Sequence, residues 1–252
     1  MIQVNYSGRL GNHLFQYVFS RLVAEKFGYQ LVSDLPQNPI IRSSPLPKGK
    51  IFNTSPVIIG EGLGPGYHFP ESLGEFTYIV DGYFQNIDYY REKRELIKGF
   101  FSYSCPTQIN FDDIVIHVRL RDYKIFGIGG SVIDPQYYVE ALEREKFRKI
   151  YVVTDEPGDK EYFRFLQGYE YEFFAGSATV SFYFLMSFDR IVIGNSSFSW
   201  WAAFLGNYSR IYTFKPWLKY CSHINRLWDI ENVVPLSGGF RHYINGMMLV
   251  DS

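Results

Sequence analysis

The chain has 252 residues, 46% hydrophobic and 20% charged, which places it among globular proteins long enough for one large domain or two small ones. A net charge of −1 supplies no broad field for nucleic acid or an anionic membrane, so any cationic function must be local. Aromatics reach 19%, with 21 Tyr and 23 Phe that must largely be core, while Cys105 and Cys221 are far apart without ligand spacing, which suits a reducing compartment and gives no zinc motif.

Met1-Ile2-Gln3-Val4-Asn5 runs straight into a strand pattern with no basic or apolar leader region, so no secretory signal is expected. No stretch nears the ~20 apolar residues of a spanning helix, and the expected location is cytoplasmic. Ile2 to Tyr6 reads as a strand, and Ser7-Gly8-Arg9-Leu10-Gly11-Asn12 as a turn. A helix follows, with Leu14, Val18 and Leu22 at i+4 spacing and Gly28 placed to end it. Gln30 to Val32 closes a β-loop-α-β unit. A glycine loop opening a helix suits an anion, because backbone N–H groups and the helix dipole point at it. Gly8-x-x-Gly11 matches neither the dinucleotide fingerprint nor a P-loop, and tight turns also use glycine for steric reasons alone.

From Leu35 to Pro70 prolines and glycines punctuate the chain, predicting long loops with at most short strands. Asp81-Gly82-Tyr83-Phe84-Gln85-Asn86 leads into a charged helical stretch, Tyr89 to Phe100, and Cys105-Pro106-Thr107 reads as a boundary. Beyond it the pattern becomes regular. Strand Ile114 to Arg119 precedes a glycine-rich loop, and Asp134-Pro135 opens a helix through Phe147. Strand Ile150 to Thr154, a short helix near Lys160 to Leu166, strand Tyr171 to Phe174 and helix Thr179 to Phe188 follow. Strand Arg190 to Gly194, a helix from Asn195-Ser196-Ser197 through Leu205, and strand Arg210 to Phe214 complete the series. Strands alternating with such helices mean βαβ units on a parallel sheet.

Three features then fall at strand carboxyl ends, where open α/β sheets bind ligands. The first is His117, Arg119 and Arg121, at alternate positions and hence on one face for as long as the strand stays extended. Buried guanidinium groups need an anion, either a bound ligand or the chain's own Asp122 or Asp155. The second is Thr154-Asp155 and the third Asn195-Ser196-Ser197. Cations, hydroxyls and N–H groups suit a diphosphate, and a carboxylate suits a nucleoside; singly, Ser196 and Ser197 are also ordinary helix caps and Asp155 an ordinary turn residue.

The segments Gly8-Arg9-Leu10-Gly11-Asn12-His13-Leu14-Phe15-Gln16, Asp81-Gly82-Tyr83-Phe84-Gln85, His117-Val118-Arg119-Leu120-Arg121-Asp122-Tyr123, Val153-Thr154-Asp155-Glu156-Pro157 and Asn195 to Ala203 resemble the α-1,2-fucosyltransferase family, in the expected order. The resemblance implies a GT-B type α/β fold of two Rossmann-like domains with parallel sheets facing a central cleft, here 1–105 on the acceptor side and 106–252 on the nucleotide-sugar side. It implies a metal-independent, inverting enzyme that needs no cofactor and transfers L-fucose from GDP-β-L-fucose to a galactose 2-hydroxyl of a glycan. It gives Arg119 the diphosphate. The family usually has His-x-Arg-Arg-Gly-Asp-Tyr; here Leu120 and Arg121 replace the second Arg and the Gly, which moves a cation one position along.

The candidate set is Arg119, Asn12 and His117 at the reacting centre, with Gly8, Arg9, Gly11, Arg121, Asp155, Asn195, Ser196, Ser197 and Phe198 around the donor and no metal ligand. Asp34, Asp81 and Asp122 are candidate bases, and the leaving phosphate is another. Expected partners are a GDP-sugar and a galactose-containing glycan, without nucleic acid or a transmembrane segment; peripheral membrane association stays open. Rival readings are a related transferase using another nucleotide deoxysugar or forming another linkage, a non-catalytic nucleotide-sugar-binding protein, and a carbohydrate-binding module, which would leave the cations unexplained.

Overall fold

The computed structural model describes residues 1–35, 42–61, 69–102, 109–126, 132–215, 232–241, 243–244 and 247–248. The Cys105-Pro106 boundary, both cysteines and the glycine-rich loop at 127–130 lie outside them. The chain divides into two compact units, Met1–Tyr103 and Ser104–Ser252.

In the first unit β1 (Ile2–Val4) leads into α1 (Leu10–Phe27) and β2 (Leu31–Val32). Next come β3 (Arg42–Ser43), β4 (Val57–Gly60) and β5 (Tyr78–Asp81). Two 3₁₀ turns, Ile87–Tyr89 and Arg91–Lys93, α2 (Arg94–Lys98) and β6 (Phe101–Ser102) end the unit. The main sheet has the order β2-β1-β5-β4 and is parallel throughout, while β3 and β6 form a small antiparallel pair. α1 is packed on several sides: Leu14 to Ala24 is buried without a break, Gln16, Ser20 and Arg21 included. Gly28 ends it in the left-handed conformation, at φ 69°, with its N–H on the Ala24 carbonyl.

The second unit begins with β7 (Ile114–Val118), α3 (Arg121–Phe126), β8 (Val132–Ile133) and α4 (Gln136–Glu143). β9 (Ile150–Thr154), a 3₁₀ segment at Tyr162–Leu166, β10 (Tyr171–Phe174) and α5 (Ala178–Met186) follow. Then come β11 (Arg190–Ile193), α6 (Ser197–Leu205), β12 (Arg210–Lys215), β13 (Val233–Ser237) and β14 (Phe240–Arg241). Its sheet runs β10-β9-β7-β11-β12-β13, all parallel, the doubly wound order of Rossmann-like domains. The sheet is covered on both faces. Ile114, Ile116, Ile150 and Val152 join a core with Tyr137, Tyr138 and Tyr162, whereas the alternate residue Tyr151 meets Phe184 and Phe188 on the α5 side.

The structure departs from the sequence reading at several points. α4 stops at Glu143, short of Phe147, because Glu145 leaves the helical course to meet Arg190, Arg210 and the Tyr212 hydroxyl. The charged stretch after Tyr89 yields a 3₁₀ turn at Arg91–Lys93 and one five-residue helix directly after it. Strands β4, β5 and β13 add to the expected set; Pro235 inside β13 is tolerated because that strand is the sheet edge. The expected strand through Arg119 ends at Val118, and Arg121 already begins α3. His117, Arg119 and Arg121 therefore do not share one strand face.

Candidate active site

In the second unit the strand order reverses between β7 and β11, and that switch point is where a doubly wound sheet opens a crevice at its carboxyl ends. β7 delivers His117 and Arg119 there, β9 delivers Asp155, and β11 delivers Asn195, Ser196 and the start of α6. The chain bends after Val118 because Asp155 Oδ1 accepts the Leu120 and Arg121 N–H groups at 2.9 and 3.4 Å. The other Asp155 oxygen pairs with Arg119 Nη1 at 2.7 Å, and Asp122 pairs with Nη2 at 2.6 Å. Arg119 is thus clamped by the chain's own carboxylates, one of the two partners that the sequence leaves open for it. Leu120 is fully buried, and Arg121 is exposed without an ion pair among the described residues.

Two further side chains, unassigned in the sequence reading, fasten α3 across the crevice. The Tyr123 hydroxyl donates to the Asn195 carbonyl at 2.9 Å, and Lys124 pairs with Glu156 at 3.1 Å and with Asp159. Tyr123 closes the Arg119 motif and Lys124 follows it, but their partners lie far along the sequence and no spacing announces them.

His117 is not a cation. It is 6% exposed, its ring lies 5.6 Å from that of Phe198, and its Nδ1 has no hydrogen-bond partner among the described residues. Burial pushes its pKa down to about 4, against the opposing pull of Asp155. Below pH 6.5 the unfolded chain takes up a proton that the folded one refuses, so this residue costs stability progressively as pH falls toward 4. Urea unfolding at pH 7 and pH 4.5 should show the wild type losing about 2 kcal/mol more than His117→Asn over that interval. Equal losses would mean that His117 titrates normally.

At α6 the cap position is Ser196, but its side chain makes no capping bond; Ser199 and Trp200 instead bond back to its carbonyl. The reading of Ser196 as an ordinary side-chain cap therefore fails, and its hydroxyl is not spent on the first N–H groups of α6. Behind them Trp200 and Trp201 are fully buried, which fixes the helix on its sheet.

Gly8, Arg9, Gly11 and Asn12 stand in the first unit, at the carboxyl end of β1. Gly8 has φ 81°, and a Cβ there would fall 2.3 Å from Asn12 Nδ2, so both backbone and space demand glycine. Arg9 occupies the cap position of α1 without a side-chain cap bond. Asn12 is not that cap either: its Oδ1 accepts from Gln85 Nε2 at 3.0 Å. This ties the Gly8 turn to the Asp81–Gln85 segment that follows β5. There Gly82 has φ 153° and the buried Phe84 has φ 53°, a conformation costing of order 1–3 kcal/mol for a side chain of that bulk. Phe84 is held by stacking on Phe19 with centroids 4.0 Å apart, and by the Tyr90 hydroxyl on its carbonyl at 2.6 Å. Gln16 Nε2 fixes the Gly82 carbonyl at 2.9 Å.

Among the described residues no group of three or more His, Cys, Asp or Glu is placed to hold a metal ion, and no helix is long and apolar enough to cross a membrane. Comparison with known proteins points the same way as the crevice. The chain is 29% identical over 168 residues to an α-1,2-colitosyltransferase of Escherichia coli, an alignment that covers 54% of this chain and 53% of that one. The chain thus spans about half the length of the curated relative that it matches. Residues 68–220 match the family described as Glycosyl transferase family 11. That span is more than half of the sequence and carries β7, β9, β11 and the start of α6 together; the chain belongs to glycosyl transferase family 11.

Proposed function

We propose that the protein transfers a deoxyhexosyl group, L-fucose first among them, from a GDP-linked donor to the 2-hydroxyl of a galactose in a glycan, with inversion. The observation that carries the reading is a guanidinium and a helix start whose Ser196 hydroxyl makes no capping bond, both delivered to the β7/β11 switch point, within a family of glycosyl transferases. The relative named for colitose, itself a deoxyhexose, supports the same class and sets a colitosyl donor beside the fucosyl one. In the GT-B reading the second unit takes the donor and the first the acceptor.

Arg119 has five N–H donors, and its two carboxylate contacts leave donors for phosphate oxygens. The same contacts hold it in place before substrate arrives, while reducing its field. The N–H groups and hydroxyls at the start of α6 carry the remaining share of the charge that grows on the β-phosphate. Each preorganised donor of this kind is worth about 3 kcal/mol in the transition state. His117, neutral and without a partner at Nδ1 among the described residues, offers a ring edge to the nucleoside or sugar without adding charge.

A thermal-shift series across GDP- and UDP-linked sugars tests the donor: a ligand at 100 times its Kd should stabilise by about 2.7 kcal/mol. GDP-fucose or GDP-colitose should shift the transition, and transfer to methyl β-galactoside should run within about twofold in EDTA, because cations and N–H groups do the neutralising. A preference for UDP-sugars, or a rate that collapses in chelator and returns with Mn²⁺, would overturn the reading.

Asn12 gives a second test. Asn12→Ser gives up the bond to Gln85 and should leave GDP affinity unchanged while kcat/KM falls at least about tenfold, or 1.4 kcal/mol. An unchanged kcat/KM would remove Asn12 from the site.

A further inference from the structure

We infer that the Asp81–Gln85 turn of the first unit is the acceptor-sugar subsite, with Tyr83 as its platform and Asp81 as the catalytic base; this rests on the proposed transfer reaction. In that unit β1 and β5 are the two central strands of the parallel sheet, and Asn5 and Asp81 stand side by side at their carboxyl ends, where open α/β sheets bind ligands. The turn there is built to a fixed shape. A buried phenylalanine held at positive φ persists only because its surroundings over-determine it, and Phe19, Tyr90 and Gln16 do so. A Cβ at Gly82 would come within 2.8 Å of Glu61 Cβ, and Glu61 accepts the Tyr83 N–H at 2.8 Å.

This strained frame leaves two side chains at the surface. Tyr83 is 47% exposed and makes no ring contact among the described residues. Such a ring suits the apolar face of a pyranose, and its hydroxyl a sugar oxygen. Asp81 is exposed; Asn5 Nδ2 donates to its Oδ1 at 3.2 Å, and its Oδ2 has no partner among the described residues. A carboxylate oriented by an amide and open at one oxygen is placed to take a hydroxyl proton. Of the three candidate bases, Asp122 is engaged by Arg119, and no hydrogen bond orients the Asp34 carboxylate among the described residues. Asp81 is the one held in orientation and open to a sugar.

The step balances. The acceptor 2-oxygen forms the new bond to the donor sugar's C1 as the bond from C1 to the β-phosphate oxygen breaks. The electron pair leaves with GDP, and the hydroxyl proton passes to Asp81 Oδ2.

The test uses the whole chain with methyl β-D-galactopyranoside as probe. Saturation-transfer NMR reads galactoside binding, and turnover with GDP-fucose reads kcat and the acceptor KM. Tyr83→Ala should abolish most of the saturation and raise KM about tenfold at little-changed kcat, and Tyr83→Phe should restore much of both. Asp81→Asn, which keeps the size of the side chain and its bond to Asn5, should cut kcat at least 100-fold while GDP affinity stays within twofold. Undiminished saturation in Tyr83→Ala, or wild-type kcat in Asp81→Asn, overturns the subsite. Galactoside binding that depends on Tyr83 in a protein that turns over no GDP-sugar would uphold the subsite and sink the transfer reaction instead.

Discussion

Replacing Arg119 by lysine is expected to lower kcat at least 100-fold and leave the circular dichroism spectrum unchanged. Lysine keeps the charge but loses the planar fork, and one ammonium cannot span Asp155, Asp122 and a phosphate at once. Asp155 also holds the Leu120 and Arg121 N–H groups, so the turn itself survives the change. The loss therefore falls on transition-state charge: a hundredfold is about 2.7 kcal/mol, the order expected for one preorganised donor. Stopped turnover with GDP-fucose, alongside GDP affinity by calorimetry, would measure it. Near-wild-type turnover in the lysine variant would remove Arg119 from the diphosphate.

The second large effect is on stability. Leu120→Arg, which restores the arginine pair usual in the resembled family, should cost about 3–5 kcal/mol in urea unfolding. Leu120 is fully buried in the core that includes Ile116, Val118 and Tyr138, and Asp155, the nearby carboxylate, is already taken by Arg119 and two backbone N–H groups. Arg121→Ala, at an exposed position, should change stability by less than about 0.5 kcal/mol. Equal stability of Leu120→Arg and wild type would show that position 120 opens toward carboxylates and not toward the core.

Much of the second unit was legible because its strands are buried on both faces and bounded by clear turns. β9 and β10 fall where the pattern puts them, and β7, β11 and β12 differ by a residue at one end. In the first unit Gly28 ended α1 as its position required. Short β4 and β5, set among prolines and glycines, carried too little pattern to read. Alternation misled at Arg121, since period two holds only while a strand stays extended, and a distant carboxylate, Asp155, ends it. The charge of His117 was illegible for a related reason: it depends on burial by Phe198 and its neighbours, and a sequence lists no neighbours in space. Gln85 and Asn12 meet across 73 positions, a contact that only folding reveals.

The doubly wound order also governs how the crevice comes into being. β7 is flanked by β9 on one side and by β11 on the other, and Val115 pairs with Ile191, far along the chain. The loop between them must close before either gains the contacts that offset its lost entropy, so this pairing belongs to the slow, non-local part of folding. No fragment ending before β11 holds both walls of the crevice. Nucleotide binding should therefore appear during refolding only with the last kinetic phase of the second unit, and a nascent chain should acquire it only after α6 has been made.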